Sequence, residues 1–173
     1  MPGAPPPTTT VVRPAVEADL DEIVDVFWAV AAEGRWLGVE VPFDRRARRE
    51  RFARTLGEES GTVLVADARS AGTADIIGFI SVDVAVYGVA SVGMALLEPW
   101  RGQGIGRALL EAALVWARQA GAHKVALEVW PDNSAAIALY EQAGFVEEGR
   151  KVAHYRRQNG ELWDSVLMGR ALT

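Results

Sequence analysis

At 173 residues, half of them hydrophobic and 24% charged, the chain is long enough for one domain to bury roughly 70% of the surface it exposes when unfolded, with no covalent staple required. It contains no cysteine and only two histidines, His123 and His154, which excludes thiol nucleophiles, disulfide frameworks, cysteine-ligated zinc and iron–sulfur chemistry and fits a reducing cytoplasm. The formal charge of −5 argues against a nucleic-acid binder that reads phosphates through a basic surface, and no run approaches the roughly 20 apolar residues of a membrane span.

The first ten residues, MPGAPPPTTT, have neither the basic nor the apolar region of a secretory signal and offer nothing to bury. They are expected to form a disordered or extended tail ahead of one domain, residues 11–173. Val11 to Val16 reads as a short strand. Acidic residues at Glu17 and Asp19 then open a helix carrying Leu20, Ile23, Val24, Phe27 and Ala31 at helical spacing and stopping at Gly34. Asp44 is a good N-cap for a second helix running to Gly57. That helix carries Arg45, Arg46, Arg48, Arg49, Arg51 and Arg54, which read either as a solvated face or as an anion-binding or subunit-contacting surface.

From Thr62 the period changes to that of strands. Val63 to Val65, Ile76 to Val86 and Val89 to Leu97, separated by Ser-Ala-Gly-Thr and Tyr-Gly turns, predict an antiparallel meander. Helical spacing returns at Ile105, Leu109, Ala112, Ala113 and Trp116. A strand over 125–129, a helix over 134–143, and two strands over 145–153 and 162–168 joined through Asn159-Gly160 complete the chain. The expected order is βααβββαβαββ, in a single α/β layer with a mixed, mostly antiparallel sheet.

The chemistry is concentrated where a strand runs through Arg101-Gly102-Gln103-Gly104-Ile105-Gly106-Arg107 into a helix. Glycine lets an anion approach the backbone, and the first helical turn leaves N–H groups unpaired. Together with the helix dipole they make a phosphate cradle. No Gly-Lys-Ser/Thr ending follows, so this is not a Walker loop. The dinucleotide fingerprint fails too, because its third glycine position holds Arg107 or Leu109, according to which glycine begins the count.

Read as Arg-x-x-Gly-x-Gly, Arg101, Gly104 and Gly106 resemble the acyl-CoA pyrophosphate loop of the GNAT N-acetyltransferase superfamily. The run Asn133-x-x-Ala136-x-x-Leu139-Tyr140-x-x-x-Gly144-Phe145 resembles the helix motif that follows it there. The resemblance spans about Val11 to Leu172 and is closest to the ribosomal-protein and small-amine branch. It implies central strands that splay to admit acetyl-CoA as co-substrate, with no metal. Ala95, Leu96 and Leu97 would hold the pantetheine arm and polarise the thioester carbonyl. Backbone amides from Gly102 through Gln103, Gly104, Ile105 and Gly106 to Arg107 would take the pyrophosphate, and Asn133 would join the cofactor set.

The reaction so implied is direct attack of a primary amine on the thioester, the amine belonging to a small molecule, an amino acid or a peptide N-terminus. Glu128, in a Leu-Glu-Val run like that of ribosomal-protein alanine N-acetyltransferases, is the candidate base, and Tyr140 the candidate acid beside the sulfur. Without the resemblance, Glu128 reads equally as a solvent-facing strand carboxylate, Tyr140 as a half-buried helix residue and Asn133 as a helix N-terminal residue. For the acceptor site, Glu33, Trp36 and Phe43 on one side and Tyr155 and Trp163 on the other are candidates, or else core aromatics and a helix-end carboxylate. A non-catalytic acyl-CoA sensor and a homodimer both stay open.

Overall fold

The computed structural model describes residues 10–68 and 75–172. The tail expected before Val11, apart from Thr10, and the Ser-Ala-Gly-Thr turn lie outside the described residues. The elements are β1 (Val11–Pro14), α1 (Leu20–Ala32), α2 (Arg45–Gly57), β2 (Gly61–Asp67), β3 (Ile76–Val84), β4 (Val89–Leu96), α3 (Ile105–Gln119), β5 (Lys124–Val129), α4 (Ser134–Gln142), β6 (Val146–Arg156) and β7 (Leu162–Ala171). Their order is the βααβββαβαββ expected from the sequence. Single turns of 3-10 helix precede α1 (Glu17–Asp19) and follow β4 (Glu98–Trp100).

The strands form one sheet in the order β1-β2-β3-β4-β5-β7-β6. Every neighbouring pair is antiparallel except β4 with β5, which are joined by the helical crossover α3 as a parallel pair requires. Helices cover both faces, in place of the single layer expected. Strand β2 shows why, because its residues are buried throughout. Val63 and Val65 pack with Phe79, Ala95 and the apolar sides of α1 and α2, while Leu64 and Ala66 pack with Ile80, Val82 and the α3 residues Leu109, Leu110 and Ala113. Alternate side chains of a strand point to opposite faces, so a continuous apolar run needs cover on both.

Strand ends differ from the expected ones for local reasons. Strand β3 stops at Val84 because Gly88, at φ +80°, closes a turn by donating its N–H to the Ala85 carbonyl at 2.8 Å. Strand β6 continues past a bulge between Lys151 and Tyr155 to pair Arg156 with Leu162, and β7 runs on to Ala171 along β5. Helices α2 and α4 are capped by side chains: Asp44 accepts from the Ala47 N–H at 3.0 Å and Asn133 from the Ala136 N–H at 3.2 Å. Helix α3 begins at Gly104 with no such cap.

Candidate active site

Strands β4 and β5 pair only where Val89, Ala90 and Ser91 meet Lys124, Val125 and Ala126. Beyond that point β4 stays on β3 as far as Leu96 and β5 stays on β7 as far as Val129, so a gap opens between the two central strands. Leu97 donates its N–H to the Ile77 carbonyl at 3.0 Å. In an antiparallel ladder, bonded and non-bonded pairs alternate, so Ala95 also directs its backbone groups to β3, whereas those of Val92, Met94 and Leu96 face the gap. The bond from the Leu172 N–H to the His123 carbonyl, 2.8 Å, turns the backbone of Glu128 toward the gap from the other side by the same alternation. Of the three residues expected to present backbone groups, only Leu96 does so; Ala95 and Leu97 are committed to β3, and Met94 takes their place.

The loop after β4 is shaped by glycine where the backbone requires it. Gly102 and Gly104 have φ of +74° and +82°, a region costly for other residues. The first helical bond of α3 runs from the Ala108 N–H to the Gly104 carbonyl, and among the described residues no backbone N–H of 102–107 donates to a protein acceptor. Those amides and the positive end of α3 form a site for an anion. The flanking side chains are engaged elsewhere. Gln103 donates to the Pro99 carbonyl at 2.8 Å and Arg107 to Glu111 at 2.8 Å. Arg101 donates through Nε to the Leu96 carbonyl at 2.9 Å and through both terminal nitrogens to Glu33, at 2.8 and 2.6 Å.

Glu33, read from the sequence as an acceptor contact, is therefore turned onto Arg101, and Trp36 donates its indole N–H to the same carboxylate at 2.6 Å. The Arg101 bonds hold the Glu33 carboxyl below its ordinary range despite partial burial, with the Trp36 bond adding to them. The end of α1 is thereby latched to the phosphate-type loop across 68 residues of sequence.

On the face covered by α1 and α2, Glu128 accepts hydrogen bonds from Lys151 Nζ, from the Tyr155 hydroxyl at 2.5 Å and from Ser165 Oγ at 2.9 Å. Burial pushes its pKa up, but the bonds from Lys151, Tyr155 and Ser165 outweigh it, and the carboxyl lies below its ordinary value. Tyr140, on α4, is 8% exposed and packs against Phe145 with ring centroids 5.7 Å apart. Burial pushes its phenol up to about 12, so the hydroxyl keeps its proton at every ordinary pH. Two cavities lie against the sheet, one on each face. One of about 190 Å³ lies between α1, α2 and the sheet, lined by Phe27, Arg48, Arg51, Asp83 and residues 93–95 among others. The other, of about 290 Å³, lies between α3 and α4 beside Arg107, Leu139 and Arg170.

A family model described as Acetyltransferase (GNAT) family matches residues 21–145. The chain belongs to the GNAT acetyltransferase family. It is 30% identical to an aminoglycoside N(6')-acetyltransferase of Stenotrophomonas maltophilia over 138 residues, 75% of this chain and 84% of that one. It is 30% identical to the L-amino acid N-acetyltransferase of Escherichia coli over 104 residues, 56% of this chain and 62% of that one. With several other acetyltransferases the match spans less than half of the relative's length. Among solved structures, a GNAT superfamily phosphinothricin acetyltransferase from Sinorhizobium meliloti, in complex with AcCoA, shares the fold with TM-score 0.82 at 24% identity over 94% of this chain and 88% of that one.

Within this GNAT enzyme, the residues that local sequence pattern does not mark are those brought in by distant strands, while one arginine of the charged helix turns inward. Lys151 and Ser165 reach Glu128 through the pairing of β5, β6 and β7, and Arg48 turns from an Arg-rich helix onto the Phe27 ring at 4.3 Å. Arg157, 4% exposed, ties the loop between α1 and α2 to the final hairpin. It donates to the carbonyls of Leu37 at 3.0 Å, Gly38 at 3.2 Å and Gly34 at 3.4 Å, pairs with Glu40 at 3.5 Å and stacks on Trp163. No group of three or more His, Cys, Asp and Glu among the described residues is arranged to hold a metal ion.

Proposed function

We propose that residues 11–173 form one catalytic domain that moves an acetyl group from acetyl-CoA to the primary amine of a small molecule, in the cytoplasm. The observation that carries this reading is the parting of β4 from β5 beside six backbone amides with no protein acceptor among the described residues, in a chain of the GNAT family. Acetyl-CoA supplies an activated thioester. Amides of residues 102–107 hold its pyrophosphate, with Arg107 on the cavity wall beside them and Asn133 at the neighbouring N-cap. Arg101 acts at one remove, fixing the loop through Glu33 and the Leu96 carbonyl.

The N–H groups of Met94 and Leu96 face the gap, where they pair with the pantetheine arm and stabilise negative charge that develops on the thioester oxygen. Glu128 attracts the incoming ammonium by charge; the ammonium gives one proton to water to free its lone pair, and Glu128 accepts the second proton as the N–C bond forms. A low-pKa carboxylate suffices for that step, because a nitrogen giving its lone pair to a carbonyl carbon becomes strongly acidic. As the N–C bond forms and the C–S bond breaks, the Tyr140 hydroxyl donates to the departing sulfur. Relatives named for aminoglycoside and for L-amino acid acetylation support a small acceptor.

Acetyl-CoA at a hundred times its dissociation constant stabilises the fold by about 2.7 kcal/mol, a melting shift of about 5–10 °C for a domain of this size. Thiol release with an amine panel is expected alongside it. No shift and no release at saturating acetyl-CoA overturns the reading.

A further inference from the structure

The cavity between α1, α2 and the sheet contains a charge arrangement that the transfer chemistry leaves unused. Helix α2 carries six arginines, and three of them are paired on the surface, Arg45 with Asp25, Arg46 with Glu50 and Arg49 with Asp21. Arg48 is different. It is half-buried, lies over Phe27 at 4.3 Å and within 5.8 Å of the Phe43 ring, and has no carboxylate partner among the described residues. Arg51 lines the same cavity. The one acidic group in the wall among the described residues, Asp83, accepts a 3.4 Å bond from Thr55 and feels the charge of Arg51, leaving one carboxylate against two arginines. Burial and the neighbouring charge of Arg51 both push the Arg48 pKa down, the direction expected of a cation short of counter-charge.

The cavity also has the right neighbours. Its floor includes Gly93, Met94 and Ala95 of β4, so it abuts the edge whose Met94 and Leu96 amides face the gap. The register of β4 with β5 puts the side chains of Ser91, Ala95 and Glu128 on one face of the sheet. An acceptor lying along this face meets the Glu128 carboxylate of β5 at one end and the two arginines of α2 at the other. A polycation such as a polyamine would bring like charge against Arg48 and Arg51. The volume of about 190 Å³ is below the roughly 300–1,000 Å³ of sites for drug-sized ligands.

We propose that the acceptor is a compact primary amine bearing a carboxylate or similar oxyanion, with Arg48 and Arg51 binding the anionic group while Glu128 faces the amine. Arg48 and Arg51 are then specificity-determining residues: they select the acceptor and leave acetyl-CoA untouched. The inference rests on the acetyl-transfer reading above for the placement of the amine.

The test uses the whole chain in a thiol-release assay with L-leucine, L-methionine and L-glutamate, each against the amine lacking its α-carboxylate, and with spermidine and kanamycin as polycations. At least one aminocarboxylate is expected to exceed its decarboxylated partner and both polycations in kcat/KM by about 10- to 100-fold, the range of one or two charge-assisted bonds. Arg48→Gln and Arg51→Gln should raise the aminocarboxylate KM about 10-fold or more and narrow that preference, while the acetyl-CoA KM is unchanged. Arg51 is exposed, so its variant tests the idea even where Arg48→Gln folds poorly. Calorimetry with the N-acetylated products gives a second readout, with binding by the parent and weaker binding by both variants. Preference for spermidine or kanamycin, a preference for carboxylate unaltered in both variants, or no product binding by a protein that binds acetyl-CoA overturns the proposal. Absence of both thiol release and an acetyl-CoA melting shift defeats the acetyl-transfer reading instead, and product binding sensitive to Arg51→Gln would then still support the anion subsite.

Discussion

Tyr140 combines two properties that a single substitution separates. Its phenol is raised by burial to about 12, so it is a proton-bearing donor throughout the working range. The sign of its contribution to stability follows: an acid whose pKa is higher when folded supports the fold fully below the unfolded value of about 10 and loses that support as pH climbs toward 12. The support lost over that range is at most a few kcal/mol. Denaturant midpoints measured from pH 9 to 12 should therefore fall more steeply for the parent than for Tyr140→Phe. At neutral pH the same variant should lose turnover by about 100-fold, the usual scale of general-acid assistance, with acetyl-CoA affinity nearly unaltered. Equal turnover in the two proteins removes Tyr140 from the acid role. Glu128 lies at the opposite extreme, a carboxylate kept ionised by Lys151, Tyr155 and Ser165, so its titration belongs well below neutrality.

At the level of elements, the loop into α3 works through backbone conformation. A Cβ built on Gly104 meets nothing within 4 Å, so Gly104→Ala adds no clash; its penalty is that of forcing φ near +82° on an L-residue, about 1–2 kcal/mol. The expected result is an acetyl-CoA dissociation constant raised about 5- to 30-fold with the amine KM unchanged, read by calorimetry and by kinetics. This loop and the cap at Asn133 were legible in the sequence because their signals are local: glycine where φ is positive, and a capping amide three residues before the N–H it binds. The lesson reverses for Glu33. A carboxylate at the end of a helix suggested a contact for a cation, and it found one, but the cation was Arg101, far along the chain. Ala95 and Leu97 were misread for a related reason, since which residues of a strand face a neighbour depends on the register of the ladder and not on composition. The Lys151–Tyr155 bulge likewise decides which side chains reach Glu128, and no local pattern announces it.

Across the whole molecule, Arg157 joins parts that the sheet alone does not. Its guanidinium is buried and bonded to three carbonyls of the loop after α1, while it stacks on the closing hairpin. Arg157→Ala leaves those carbonyls without this donor, strips Glu40 of its ion pair while the Gln158 N–H at 2.9 Å stays, and opens a void beside Trp163. A loss of about 3 kcal/mol is expected, lowering the melting temperature by about 10 °C in a domain of this length. The amine KM should rise as the loop shifts while the acetyl-CoA KM holds. A change under about 1 °C would show that the hairpin and loop hold together without it.

The parting of β4 from β5 also bears on mechanics. Along the sheet, strands β1 to β4 and strands β5 to β7 are joined by three residue pairs, so the central seam is the narrowest hinge in an otherwise continuous ladder. A ligand that bonds to both lips of the gap acts as a missing strand and staples the halves. Amide exchange at Met94, Leu96 and Glu128 should therefore be fast for positions so deep in a sheet, and slow sharply when acetyl-CoA is added, whereas Val63 and Val65 in β2 exchange slowly in both states. Equal protection at the seam with and without ligand would mean that the two halves are held by their helices alone.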